Sequence, residues 1–242
     1  MYLTVYTLKA IKEGVYKMKK RFVVIFLILI VFGGAYIILA NLLTGEQKFN
    51  IIPQIVKVKD ESSKKDNNKN GIADTIDIVE GARKEVKNKT VYKDAYYEGG
   101  YPKEGEGVCT DVIWRGLKEA GINLKDEMDK DIRNNLKEYK RVKEKVDPNI
   151  DFRRVANQDI FFQRHLESIT TEIKAMDKDN LKLWHPGDIV VFTEGYEHVG
   201  IISDKRDFDG VPFVIHNTPP HAKEVKLTWF KSPIHGHYRW KY

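Results

Sequence analysis

An α+β fold, with helices first and an antiparallel sheet second, follows from two changes of pattern along the chain. Between residues 75 and 173, apolar residues recur at spacings of three and four among charged ones, the period of helices that bury one face. From Ile189 onward they gather into β-branched and aromatic runs, Ile189-Val190-Val191-Phe192, His198-Val199-Gly200-Ile201-Ile202 and Pro212-Phe213-Val214-Ile215-His216. Helical patterns followed by consecutive strands predict segregated layers. A third observation, 22 residues without a charge from Phe22 to Leu43, adds an N-terminal transmembrane helix.

Residues 1–21 read as a basic cytoplasmic N-terminus, in which Lys9, Lys12, Lys17, Lys19, Lys20 and Arg21 stand against Glu13 alone. This segment carries nearly all of the net charge of +6, so no basic surface for nucleic acid is left elsewhere. Positive residues ahead of the apolar run place that end inside and the remainder of the chain outside. Residues 22–43 are therefore expected to anchor the protein in the cell membrane by a single pass. A cleaved signal segment, which would give a secreted protein, is the competing reading. The run exceeds the usual signal core, however, and no A-x-A site follows it. Met18-Lys19-Lys20-Arg21 makes an ordinary start to such a segment, so residues 1–17 are expected to stem from an upstream start codon.

Residues 44–65 read as a linker between membrane and domain. Residues 66–77 then place oxygen-bearing side chains at positions 1, 3, 5, 9 and 12 of a loop (Asp66, Asn68, Asn70, Asp74 and Asp77), with Gly71 at position 6. Hard oxygen donors converging around a sharp turn are what calcium requires, and the carbonyl of Ile72 supplies a further ligand. Asp77 stands where an EF-hand has a bidentate Glu, a departure that resembles dockerin-type extracellular loops. The competing reading is a solvated polar linker. Occupied, the loop is expected to leave Ile72, Ile76 and Val79 packed on the domain through a helix from Thr75 to about Asn88.

The main domain, residues 75–242, holds the only cysteine, and an exported chain with one cysteine forms no internal disulfide. A loop rich in Gly and Tyr, including Tyr97 and Tyr101, precedes Gly107-Val108-Cys109-Thr110-Asp111. Val112, Ile113, Leu117 and Ala120 then fall at helical spacing and Gly121 stops the run, so Cys109 is expected in the first turn of a helix. There the helix dipole favours the thiolate, the attacking form. The alternative is a small buried hydrophobe. Lys125 to Lys145 reads as a charged surface helix, 147–154 as a turn, and Asn157 to Ile173 as a second amphipathic helix. Tyr238 to Tyr242 is expected to add a last strand.

Within the hairpin of the second and third strands, a tip near Asp207 sets His198 opposite His216, and alternation puts both imidazoles on one face beside Gly200. A thiolate needs a base to take and return its proton, and the base needs a third group to orient it. Cys109, His198 and His216 fit these roles, and a one-residue slip would substitute Asn217 for His216.

These residues carry a resemblance. A helix-start Cys, followed by Pro186-Gly187-Asp188-Ile189-Val190-Val191-Phe192, His198-Val199-Gly200-Ile201-Ile202 and a strand ending in His216, resembles the NlpC/P60 branch of the papain-like cysteine hydrolases. Within it the chain is similar to the DUF1287 group, through Tyr97-Glu98-Gly99-Gly100-Tyr101-Pro102, Gly107 to Val112, Asp147 to Val155, Ile215-His216-Asn217 and Gly236-His237-Tyr238-Arg239. Phe152 departs from an expected Asp-His-Arg-Arg pattern. The resemblance implies a papain-like fold with a helix packed on an antiparallel sheet. It implies peptidoglycan or other cell-wall peptides as substrate, Cys109 as nucleophile, His198 as base and His216 as orienting residue. Tyr97, Tyr101, Asp111, Arg153, Arg154 and Asn217 become candidate substrate contacts. Capping of the same helix competes for Asp111, and an internal salt bridge competes for the two arginines.

The expected activity is that of a membrane-anchored, extracytoplasmic cysteine amidase or endopeptidase. It needs no cofactor for catalysis and carries structural calcium. His235-x-His237 has metal-like spacing without a carboxylate cluster, so zinc is not assigned. A non-catalytic wall-binding protein and an acyltransferase on the same fold are the alternatives.

Overall fold

The computed structural model describes residues 20–36, 39, 55–142 and 145–241. The chain divides into two units, Met1–Pro53 and Gln54–Tyr242. In the first, residues 20–36 form a helix, α1, whose apolar side chains from Phe22 to Phe32 are exposed. The rest of the expected 22–43 span, residues 1–19 and the first part of the linker lie outside the described residues, apart from residue 39. Among the described residues, no helix is long and apolar enough to cross a membrane.

The second unit is a mixed α and β structure around a curled eight-stranded sheet. Its helices are α2 (Asp74–Lys87), α3 (Cys109–Glu119), α4 (Leu124–Asn134), α5 (Val155–His165) and the short α6 (Lys178–Leu181). The strands are β1 (Val91–Tyr92), β2 (Glu106–Gly107), β3 (Glu167–Ser168), β4 (Ile189–Phe192), β5 (His198–Arg206), β6 (Pro212–Thr218), β7 (His221–Lys226) and β8 (Gly236–Arg239). They run in the order β2-β1-β7-β6-β5-β4-β8-β3, with only β1 and β2 parallel.

Alternation along β4, β5 and β6 builds two cores. Val191, Val199, Ile201 and Ile215 face α2 and α3, where Ile78, Val79, Val112, Ile113 and Leu117 are buried. Val190, Phe192, Ile202 and Val214 face the other way, onto Leu181, Trp184 and Leu227. Each fully buried aliphatic side chain contributes roughly 1.5–3 kcal/mol, so both faces hold the sheet in register. The helices approach closely at Gly116, where a Cβ would meet Ile201 Cδ1 at 2.6 Å and the Ile78 carbonyl at 2.9 Å. This fixes how deeply α3, and with it Cys109, seats against β5.

Several elements differ from expectation. The described part of the linker is no free tether: Val56 N–H donates to the Phe208 carbonyl at 2.8 Å, Val56 and Val58 pack on the second core, and Ser62 is buried. The helix expected over 125–145 ends at Asn134, after which a 3-10 turn, Leu136–Glu138, brings Tyr139 into the core. The next helix starts at Val155 and stops at His165, before the expected Ile173. Strand β7, His221-Ala222-Lys223-Glu224-Val225-Lys226, is too polar to read as a strand. It pairs with β6 from Phe213↔Lys226 to Thr218↔His221.

Candidate active site

Cys109 opens α3, as its sequence context predicts. Val108, in extended conformation, caps the helix, and its N–H is accepted by Asp111 Oδ2 at 2.7 Å. The thiol is 6% exposed and lies in the helix-side core with Val199 and Ile215. Burial pushes it up to about 12, against which the backbone N–H groups of Val199 and Thr110 act. The expected lowering by the helix terminus is thus overturned in this state, because desolvating a thiolate costs more than the dipole and two N–H groups return.

Asp111 and Arg153, candidate substrate contacts for which capping and an internal salt bridge compete, are paired with each other. Arg153 Nε and Nη2 donate to the two oxygens of Asp111, each at 2.8 Å, with both side chains buried. Trp114 Nε1 also donates to Asp111 Oδ1, Arg153 Nη1 donates to the Ala95 carbonyl, and Thr110 Oγ1 donates to the Arg153 carbonyl. The pair therefore ties the start of α3 to the 3-10 turn Asp151–Arg153. Tyr97 lies against the Arg153 guanidinium, 5.0 Å from its ring centre. Arg154 pairs with Asp151 at 3.4 Å and stays partly exposed. Tyr101 stands edge-on to Trp114 and Phe152. Phe152 itself is fully buried against Gly100, so the residue that departs from the family pattern is a packing residue.

The histidines meet, although in a different register. Pairing at Ile201↔Ile215 and Ile202↔Val214, with a shift before Arg206↔Pro212, puts Gly200 rather than His198 level with His216. The tip lies further along than Asp207, and the irregularity in β5 takes up the difference. A two-residue offset preserves the face, so His198 Nε2 still lies 2.8 Å from His216 Nδ1, with the rings at 84°. Beyond Ile201 and Ile215 the strands part: β5 continues beside β4 to Phe192↔His198, and β6 beside β7 to Thr218↔His221. Gly200 is required there, because a Cβ would sit 2.5 Å from Val214 Cγ1 and 3.1 Å from the Ile215 carbonyl. Burial lowers His198 to about 4. Burial, the neighbouring imidazole and Lys223 together lower His216 to about 3, so both rings are neutral at pH 7.

Asn217 faces the helix side, where Nδ2 donates to the Gly107 carbonyl at 3.0 Å and secures the loop ahead of Cys109. The slip that would have replaced His216 by Asn217 does not occur. Cys109 thus reaches β5 at Val199, and the next residue back, His198, joins His216 on the sheet's other face. A cavity of about 420 Å³ on that face is lined by both histidines together with Tyr196, Lys223, Trp229 and Phe230. Sequence reasoning missed these last four. Only the alternation of Lys223 with Val225 on the unrecognised β7 would have signalled one of them.

The 66–77 loop is folded. Gly71 and Asn70 N–H groups donate to Asp66, and the Asn68 and Asn70 side-chain amides both donate to Asp77 Oδ2, at 2.9 and 2.8 Å. Asp74 departs from the expected ligand ring, since its carboxylate accepts from Asn67. Ile72 is 47% exposed and Ile76 only partly buried, whereas Val79 packs in the core as expected, together with Ile78. Among the described residues, no group of three His, Cys, Asp or Glu side chains is arranged to hold a metal ion. His237 is buried between Asp188 and the Thr170 carbonyl and stacked on Trp184, while His235 faces Asp159.

Comparison with known proteins gives a match over residues 79–240, more than half of the chain, to a family described as "Domain of unknown function (DUF1287)". A relative from Escherichia coli (strain K12), "Uncharacterized protein YijF", is 34% identical over 171 residues, covering 67% of this chain and 80% of the relative. No solved structure matches.

Proposed function

The chain belongs to the DUF1287 family, and from the site it carries we propose that it is a cysteine amidase or endopeptidase of the papain-like NlpC/P60 type, acting on cell-wall peptides. The observation that carries the reading is the 2.8 Å contact between His198 and His216 at the point where β5, met by the Cys109 thiol at Val199, parts from β6. With Nε2 of His198 committed to His216, Nδ1 is the ring nitrogen left to take a thiol proton. His198 moves the proton of Cys109 as sulphur attacks the substrate carbonyl and later returns it to the leaving amine, while His216 orients the ring. The Cys109 N–H at the helix start faces the developing oxyanion. Because thiol and imidazole are both neutral at rest, His198 acts as a general base during attack. Water then releases the acyl group from sulphur.

Residues 22–43 anchor the protein in the membrane with the domain outside, a reading that rests on the charge-free run and the basic residues before it. The 66–77 loop holds a structural calcium ion. Asn68, Asn70 and Asp77 already converge there.

The test is digestion of purified wall peptides by the full-length chain in detergent micelles. Cleavage with a mass adduct on Cys109, lost in Cys109→Ala and His198→Ala, is the expected result. The burial of Cys109 favours a second reading, a wall-binding protein that retains the fold. Binding without cleavage, undiminished in Cys109→Ala, would decide for it.

A further inference from the structure

The cavity on the far side of the histidine pair has one sign of charge. Lys223 and Lys231 line it, and no carboxylate does. Lys223 is placed by register, directly across from His216 on β7. Trp229, 69% exposed, and Tyr196 form open aromatic walls, and Phe230 packs on both imidazoles. His216 is 5% exposed, and its Nε2 is buried without a hydrogen-bond partner. A buried polar atom of this kind is unfavourable unless something pairs with it.

The tautomers decide what that partner must be. For His198 to serve as base its Nδ1 must be bare, so its proton sits on Nε2 and is donated to His216 Nδ1. His216 then carries its own proton on Nε2, facing the cavity, and needs an acceptor. In the opposite tautomer His216 Nδ1–H donates to His198 Nε2, Nδ1 of His198 is protonated, and His198 has no bare nitrogen left to act as base. An acceptor in the cavity therefore selects the competent arrangement.

We propose that the cavity binds a carboxylate of the peptide substrate, which accepts from His216 Nε2–H and completes a relay from Cys109 through His198. The proposal rests on the cysteine-hydrolase reading and assigns it a substrate class, anionic peptides whose carboxylate reaches past both imidazoles from the scissile amide. Lys223 and Lys231 hold the anion by charge, and the aromatic walls take the adjoining group. When the Cys109 proton passes to His198 Nδ1, the imidazolium keeps its Nε2–H on His216, and the carboxylate offsets the new positive charge without taking a proton. An opposite charge linked by hydrogen bonds raises the basicity that burial removes. The unliganded site is thus a neutral, unreactive pair that the substrate itself activates.

The test follows alkylation of Cys109, the only thiol, by iodoacetamide in the full-length chain at neutral pH. N-acetylalanine is the carboxylate probe, N-acetylalaninamide its uncharged match, and sodium chloride the ionic-strength control. N-acetylalanine should accelerate alkylation saturably, about tenfold for each unit by which the thiol pKa falls. The amide and the salt should not. Lys231→Gln, in an exposed loop, should weaken the effect, and Lys223→Gln combined with Lys231→Gln should abolish it. Equal rates with acid and amide, or equal acceleration by salt, overturn the proposal. If His198→Ala alkylates like the parent with the carboxylate present, the hydrolase reading itself fails. If alkylation depends on His198 and not on the carboxylate, only the relay fails.

Discussion

Nε2 of His198 lies 2.8 Å from Nδ1 of His216, although the two residues are not cross-strand partners and sit where their strands have separated. Burial holds both rings neutral, with His198 lowered to about 4 and His216 to about 3. The neutral base is present above its pKa, so the acid limb of kcat/KM, which reports the free enzyme, should fall near pH 4. A kcat/KM limb at the ordinary imidazole value of 6.5 would show that His198 is solvated in the unliganded enzyme.

The same depression makes stability depend on pH. Between 6.5 and the lowered values the unfolded chain binds protons that the folded chain refuses, so stability is full above about 6.5 and falls as pH drops toward 3. His185, also lowered by burial, acts in the same direction. Thermal melts from neutral pH down to about 4 should show Tm decreasing, with a shallower slope in His216→Gln. A Tm independent of pH in this window would contradict the buried neutral pair.

Asp111 and Arg153 yield a prediction that separates support from recognition. Removing one partner of a buried pair leaves the other charge uncompensated, at a cost of roughly 3–5 kcal/mol. The Val108 N–H also loses its acceptor. Asp111→Ala should therefore lower the urea midpoint markedly. A substrate-contact role would instead raise KM and leave the midpoint unchanged.

How far the sequence reveals this arrangement depends on the kind of signal. Cys109 at a helix start and the alternating faces of β4, β5 and β6 are local patterns, and both survive in the structure. The shared face of His198 and His216 survives because an offset of two preserves parity. The register itself did not follow from the sequence, because the turn tip and the irregularity between Ile202 and Arg206 depend on tertiary contacts. The pairing of Asp111 with Arg153 spans 42 residues and β7 is almost wholly polar, so neither leaves a periodic trace. The raised thiol pKa arises from packing around Cys109, which helix position alone does not indicate.

The 66–77 loop offers a test independent of catalysis. Bound calcium stabilises the folded state by mass action, so added calcium should raise Tm and a chelator should reverse the shift. Asp77→Asn, which removes the carboxylate on which Asn68 and Asn70 converge, should abolish the response. No shift in the parent protein would assign the loop to hydrogen bonding alone.

Gly200 gives the sharpest structural prediction. A methyl group there would overlap Val214 Cγ1 at 2.5 Å, crowd the Ile215 carbonyl at 3.1 Å and press His216 Cβ at 3.4 Å. The valine side chain can turn aside, but the carbonyl belongs to the last paired residue of β6 before the strands part, so relief must come from the backbone that carries His216. Overpacking of this kind costs about 1–3 kcal/mol. Moving His216 by a few tenths of an ångström stretches its contact with His198. Gly200→Ala should therefore lower the urea midpoint moderately and reduce cleavage by more than the lost stability explains, with the acid limb displaced from its parent position. A comparably destabilised variant at Met128, buried in α4 and away from the proposed site, should keep the parent pH profile. If the two variants behave alike, the space at Gly200 serves folding alone and the alignment of the imidazoles does not depend on it.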